Sequence, residues 1–126
     1  MTNASKASLA RCRILLAEDE YLVMRDLRSG LRALGATVVG PAPSVAGALA
    51  LIAGAPRIDA AVLDINLRGE TIYPVADMLS ARGIPFLFAT GYSNAVIDEP
   101  YRGVPACEKP IDMRELARLL VDLLPA

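Results

Sequence analysis

The sequence contains no histidine. Histidine is the one side chain whose ordinary pKa places its charge change near neutral pH, and it is the commonest metal ligand in proteins. Its absence removes the usual general base and means that this chain cannot carry a phosphohistidine. Any catalysis must therefore use carboxylates, hydroxyls, lysine or metal-bound water.

Cysteines and long apolar runs are also scarce. The two cysteines, Cys12 and Cys107, lie in separate apolar segments, and we expect two reduced, buried thiols. No apolar run approaches the roughly 18 residues of a membrane span. Residues 1–10 are small and polar and lack the apolar core of a signal peptide. We therefore expect a disordered start over residues 1–10, a cytoplasmic location and no membrane contact.

The composition is typical of one globular domain. The chain has 126 residues, of which 54% are apolar and 21% are charged, and its net charge is −1. Its arginines are scattered singly and form no basic block, which argues against direct contact with nucleic acid. The chain has no internal repeat and no linker, so we expect a single domain.

Short apolar runs alternate with amphipathic runs along the chain. The apolar runs predict five buried strands, over Arg13–Ala17, Thr37–Gly40, Ala60–Leu63, Pro85–Ala89 and Val104–Cys107. The amphipathic runs predict five helices, over Glu20–Leu34, after Ser44, from Ile72 to Leu79, over Tyr92–Glu99 (a weak one) and after Asp112. This α/β pattern predicts a (βα)5 domain, with a five-stranded parallel sheet and helices on both faces.

Polar side chains follow four of the five predicted strands. Glu18 and Asp19 follow the first, Asp64 the third, Thr90 the fourth and Lys109 the fifth. In an open parallel sheet, ligands bind at the carboxyl ends of the strands. We therefore expect these side chains to converge on one rim of the sheet.

The acids on this rim favour a metal site. Clustered carboxylates without histidine or thiolate are typical ligands of a hard cation, Mg²⁺ or Mn²⁺. A divalent ion would offset the repulsion between Glu18, Asp19 and Asp64. Glu20, the next acid, is expected to play a simpler role near the positive end of the first helix dipole.

Lys109 indicates what else the rim binds. The chain has only two lysines, and the other, Lys6, lies in the polar start. An ammonium, a hydroxyl and a divalent ion around one carboxylate make a pocket for a phosphoryl group. Asp64 can attack phosphorus and hold it as an acyl phosphate, while Thr90 and Lys109 take the phosphoryl oxygens.

With these residues in this order, the chain resembles the receiver domain of two-component response regulators, over residues 11–124 and nearly its whole length. The resemblance implies a flavodoxin-like fold with strand order 2-1-3-4-5, and a receiver domain over residues 11–126. It implies that Asp64 is the phosphoacceptor and Asp19 a direct Mg²⁺ ligand. Glu18 would bind the metal through water, and the backbone carbonyl of Asn66 would complete the shell.

The resemblance also assigns roles on the last two strands. Thr90 matches the switch hydroxyl and Lys109 the phosphate-binding lysine, and the Lys109–Pro110 bond is expected to be cis. Receivers usually place an aromatic residue three positions before the lysine, but here that residue is Ala106. The segment FATGYS resembles the "FAT GUY" receivers, which lack that ring, so Tyr92 is a candidate substitute, beside the simpler interpretation that it packs at the rim.

These matches imply a phosphoacceptor signalling protein and not an enzyme that turns over a metabolite. A histidine kinase would donate the phosphoryl group to Asp64, with phosphorylation and dephosphorylation catalysed by the protein itself. Because no output module follows the last predicted helix, we expect a stand-alone receiver. It would signal to another protein through the face of the fourth helix, fifth strand and fifth helix, or act as a phosphate sink. The weak helix over Tyr92–Glu99 is expected to be mobile without phosphate.

Three other functions stay open. An unphosphorylated pseudo-receiver is a binding module that typically lacks the acceptor, an acid or the lysine, all of which are present here. A Mg²⁺-dependent phosphatase of the haloacid dehalogenase type needs a second aspartate where this chain has Asn66. A flavin or nucleotide binder needs a loop rich in Gly, Ser or Thr after the first strand, where this chain has AEDEY.

Overall fold

The computed structural model describes residues 9–91 and 97–124. The strands are β1 (Arg13–Ala17), β2 (Thr37–Ala42), β3 (Ala60–Asp64), β4 (Asn66–Leu67), β5 (Glu70–Thr71), β6 (Phe86–Thr90) and β7 (Ala106–Glu108). The helices are α1 (Tyr21–Ala33), α2 (Val45–Gly54), α3 (Tyr73–Ala81) and α4 (Met113–Leu123). Among the described residues, none of these helices combines the length and the apolar character that a bilayer crossing needs.

Five of the strands form one parallel sheet, in the order β2-β1-β3-β6-β7. Counted along the chain without the short β4 and β5, this is the order 2-1-3-4-5. The predicted α/β fold, a flavodoxin-like parallel sheet, is therefore confirmed. The order places β3 at the centre and makes β7 an edge strand. Because the strands are parallel, the carboxyl ends of β1, β3, β6 and β7 share one rim.

The strands are apolar throughout because each faces a core on both sides. Ile14 and Leu16 of β1 belong to one buried cluster, with residues of α1 and α4, whereas Leu15 and Ala17 belong to the other, with residues of α2 and α3. Successive side chains of a strand point to opposite faces of the sheet. Helices therefore cover both faces, as the sequence predicted, and hold the sheet rim in place.

Several element boundaries differ from the prediction. The β2 strand continues through Pro41 to Ala42, and β7 begins two residues later and ends one residue later than the predicted Val104–Cys107. An antiparallel hairpin of β4 and β5 follows β3 and was not predicted. Its turn places Arg68 and Gly69 at positive φ, and a left-handed arginine carries little sequence signal. Leu9 is fully buried, so the packed chain begins before residue 11.

The predicted fourth helix lies mainly outside the described residues, which resume at Ile97, and Ile97–Glu99 are not helical. The residues that follow Ile97 contact α3. The Tyr101 ring stacks on Tyr73 at a centroid distance of 5.6 Å, and its hydroxyl donates a hydrogen bond to Asp77. The Tyr73 hydroxyl in turn accepts a hydrogen bond from the Asp98 amide at 3.0 Å.

Candidate functional site

The sheet rim holds a cleft of about 830 Å³ at the ends of β1, β3, β6 and β7. Its polar lining residues are Asp19, Glu20, Asp64, Asn66, Thr90 and Lys109. Glu18 is 1% exposed and contacts the Lys109 ammonium group. The structure therefore brings together all the predicted rim residues and adds Glu20 to them.

The Lys109 ammonium group lies among three carboxylates of the cleft. Its Nζ lies 2.8 Å from Glu20 Oε1, 3.0 Å from Asp64 Oδ2 and 3.0 Å from Glu18 Oε1. Burial alone would lower the pKa of Lys109, but hydrogen bonds to these three carboxylates raise it above its ordinary value. The lysine therefore carries its positive charge throughout the physiological pH range.

The ends of β6 and β7 fix where this lysine emerges. The Lys109 amide donates a 2.8 Å hydrogen bond to the carbonyl of Thr90, the last residue of β6. The Lys109–Pro110 peptide bond is cis. Thr90 itself is buried at the rim, so its hydroxyl and the lysine side chain lie on neighbouring strand ends.

Glu18 is a buried carboxylate with one unsatisfied oxygen. Its Oε2 accepts a 3.0 Å hydrogen bond from the Glu20 amide. Its Oε1 accepts no hydrogen bond from any described residue, although Lys109 Nζ lies 3.0 Å away as an ion-pair partner. Burial, with a smaller contribution from the charge of Asp64, raises the pKa of Glu18 to about 7.

The loop after β3 supplies backbone amides to the two aspartates. The amide of Asn66 donates to Asp64 Oδ1 at 3.3 Å, and the amide of Arg68 in the hairpin turn donates to Asp19 Oδ2 at 2.9 Å. These backbone bonds help to orient both carboxylates, and Asp64 is also held by the Lys109 ammonium group. Asn66 is exposed at the start of the hairpin, beside the cleft.

The donor set fits a hard divalent cation such as Mg²⁺. Acids are packed closely in the cleft: one carboxylate oxygen from each of Glu18, Glu20 and Asp64 lies within 4.8 Å of the others, around the Lys109 ammonium group. All the donors are oxygens, and the buried Oε1 of Glu18 has the unused lone pairs that a cation or its bound water needs. Asp19 lines the same cleft.

Glu20 stands at the N-cap of α1, as expected near the positive end of the helix, and also has a contact that the sequence did not predict. It precedes α1, makes no side-chain hydrogen bond to that helix and keeps an extended backbone, with φ −86° and ψ 117°. Residues two apart in an extended chain point to the same side. Glu20 therefore faces Lys109 together with Glu18, while Asp19 turns to the Arg68 amide. The alternation of side-chain direction along Glu18, Asp19 and Glu20 is the feature of the sequence that could have indicated this contact.

Solved structures resemble the chain over most of its length. SdrG from Sphingomonas melonis Fr1 is 46% identical to it, with 89% of this chain and 95% of that chain covered and a TM-score of 0.80. A BeF3-activated conformation of SdrG, from Pseudomonas melonis Fr1, is 44% identical, with 92% and 98% covered and a TM-score of 0.76. A response regulator receiver protein from Sinorhizobium medicae WSM419 is 26% identical, with 89% and 93% covered and a TM-score of 0.77.

The chain belongs to the response regulator receiver family. No protein-family model matches it, and no curated protein matches it significantly. The resemblance stated from the sequence is thus confirmed at the level of the family. As a receiver, the protein belongs to a class of signalling domains and not to the classical enzymes.

This receiver has no aromatic ring at Ala106. Ala106 is exposed on the edge strand β7, paired in register with Phe88 of β6. Tyr92, the candidate substitute, lies outside the described residues. The aromatic side chain that the structure does place against β6 is Tyr101, whose ring meets Phe86 and Phe88 edge-on at 5.8 and 6.4 Å.

Proposed function

We propose that this protein is a phosphorylation-dependent signalling receiver. It accepts a phosphoryl group on Asp64 from a phosphohistidine of a histidine kinase, and it then signals to a protein partner or serves as a phosphate sink. The observation that carries the proposal is the contact of Lys109 Nζ with Asp64 Oδ2 at 3.0 Å, inside a cleft whose other charged groups are acids.

In the transfer step an Asp64 carboxylate oxygen forms a bond to phosphorus. The bond from phosphorus to the kinase imidazole nitrogen breaks, and its electron pair stays on that nitrogen. Lys109 and Thr90 then hold phosphoryl oxygens. Glu18, Asp19, Asp64 and the backbone carbonyl of Asn66 would hold Mg²⁺ or Mn²⁺, which when bound neutralises charge that develops on the phosphoryl group.

A comparison structure supports the choice of ligand. SdrG, which covers nearly the same length, has been solved in a BeF3-activated conformation. Beryllofluoride becomes tetrahedral, with about the size of a phosphoryl group, when a carboxylate oxygen binds its beryllium, and a BeF3-activated relative that is 44% identical supports a phosphoryl site in the corresponding cleft here.

We place the partner surface on β7 and α4. The β7 strand is the sheet edge next to Lys109, and Val121 on α4 is one of the few large apolar side chains exposed among the described residues. This surface corresponds to the predicted face of the fourth helix, fifth strand and fifth helix, of which the helix lies mainly outside the described residues.

The test is phosphotransfer from candidate histidine kinases carrying labelled phosphohistidine. We expect label to move to this protein in the presence of Mg²⁺ and not with a chelator, and the product to be cleaved by hydroxylamine, as an acyl phosphate is. A protein captured only by the phosphorylated form would identify the partner. Absence of label with every kinase and with acetyl phosphate would leave a pseudo-receiver.

The binding of Mg²⁺ is expected to weaken in acid because Glu18 has a pKa of about 7. Below pH 7 the metal must displace a proton from Glu18, whereas above pH 7 the carboxylate is already ionised. Affinity should fall by up to about tenfold for each pH unit below 7 and level off above it. Calorimetric titrations at about pH 6 and pH 8 measure this effect, and Glu18→Gln should remove it. Equal affinity at both pH values in the unsubstituted protein would contradict the prediction.

A further inference from the structure

Glu20 makes the shortest contact of the Lys109 ammonium group. Its Oε1 lies 2.8 Å from Nζ, compared with 3.0 Å for Asp64 and for the nearer oxygen of Glu18. The side chain makes no capping hydrogen bond to α1, so its described polar partner is this lysine. Glu20 is therefore part of the cleft as well as the N-cap residue of α1.

The three donors of the ammonium group are already in use. A lysine ammonium group has three N–H donors and no acceptor. Glu18 Oε2, Glu20 Oε1 and Asp64 Oδ2 accept hydrogen bonds from it at 3.2, 2.8 and 3.0 Å. A phosphoryl oxygen can therefore bind to Lys109 only when one of these carboxylates gives up its contact.

The three carboxylates differ in their freedom to move. The side chain of Glu18 is 1% exposed and that of Asp64 is 12% exposed, whereas that of Glu20 is 62% exposed. Rotation of Glu18 would disturb its hydrogen bond from the Glu20 amide, and Asp64 is the proposed acceptor itself. Glu20 can turn into water without disturbing a packed group, so its contact is the one that is exchanged.

We propose that Glu20 is an internal counter-ion that occupies Lys109 before phosphorylation and is displaced by the phosphoryl group. This inference rests on the proposed function. Glu20 is a positioning residue, because it acts through Lys109 and touches neither the acceptor nor the donor. It keeps the lysine at the site in the free protein, and it lowers the affinity of the site for a phosphoryl group by competing for the same ammonium.

The experiment compares Glu20→Ala with Glu108→Ala, which removes the same charge from the exposed residue next to Lys109. Beryllofluoride is titrated in saturating Mg²⁺, and Mg²⁺ is titrated alone. We expect Glu20→Ala to bind beryllofluoride about fivefold more tightly, the upper end of what a partly exposed ion pair contributes. Its Mg²⁺ affinity should change by less than about threefold, and Glu108→Ala should match the unsubstituted protein in both titrations.

Three outcomes would contradict either the counter-ion role of Glu20 or the proposed function. Unchanged beryllofluoride affinity in Glu20→Ala would refute the counter-ion role while the proposed function stands. A loss of Mg²⁺ affinity of threefold or more would make Glu20 a metal ligand and would equally refute it. Failure of the unsubstituted protein to bind beryllofluoride at all would instead count against the proposed function.

Discussion

Asp64→Asn is expected to reduce phosphoryl acceptance by at least about a hundredfold, because an amide lacks the anionic oxygen that attacks phosphorus. Asparagine keeps the size of the side chain and an oxygen for Lys109, so the fold should persist. The measurement is incorporation from acetyl phosphate in Mg²⁺, followed by intact mass. The donor loses acetate as its bond to phosphorus breaks.

The matched control for this variant is Asp26→Asn, on the exposed face of α1, where the carboxylate contacts Arg25 at 3.4 Å. It should be phosphorylated like the unsubstituted protein. Thermal unfolding of both variants checks that they fold. Equal labelling of Asp64→Asn and Asp26→Asn would show that another residue accepts the group, and the assignment of Asp64 would be wrong.

Lys109→Met is expected to have opposite effects on the two ligands of the cleft. Without the ammonium group, carboxylates of Glu18, Glu20 and Asp64 remain within 4.8 Å of one another with no cation between them. We expect the free energy of unfolding to fall by about 3 kcal/mol without Mg²⁺, as when one partner of a buried ion pair is removed. Mg²⁺ should bind at least as tightly as before and restore stability, whereas beryllofluoride affinity should fall more than about tenfold.

Chemical denaturation with and without Mg²⁺ measures the stability change, and the titrations measure the two affinities. Arg118→Met removes a positive charge from the exposed face of α4 and is the control for net charge. Equal losses of Mg²⁺ and beryllofluoride affinity in a folded Lys109→Met protein would contradict the role of Lys109 as the group that meets the phosphoryl oxygens.

The fold was predictable because its signals are local. Short apolar strands separated by helical stripes indicate a parallel sheet, and the same runs mark where each strand ends. Ser44 and Asp112 cap α2 and α4, as their positions in the sequence predicted. The hairpin after β3 was missed because it depends on Arg68 at positive φ, which no residue-type preference indicates.

The sequence predicted most of the residues that form the candidate site, but only some of the contacts between them. The strand-end rule brought Asp19, Asp64, Thr90 and Lys109 to one rim, and the structure places all four along the cleft. The position of these residues at strand ends did not predict that Asp19 accepts a hydrogen bond from the Arg68 amide while Glu20 forms an ion pair with Lys109. Those contacts join residues that are 49 and 89 positions apart in the chain.

The amino-acid sequence by itself determined the parallel sheet with helices on both faces and most of the polar residues at its rim, while the resemblance to receivers implied the strand order. Apolar periodicity indicates the strands and helices, and the right-handedness of βα crossovers places helices on both faces of the sheet. Only the tertiary structure decided which of the three consecutive acids, Glu18, Asp19 and Glu20, share the lysine and how deeply each is buried. Side-chain direction at a strand end depends on the backbone angles there and on the groups that distant strands bring alongside it, and neither is written in the local sequence.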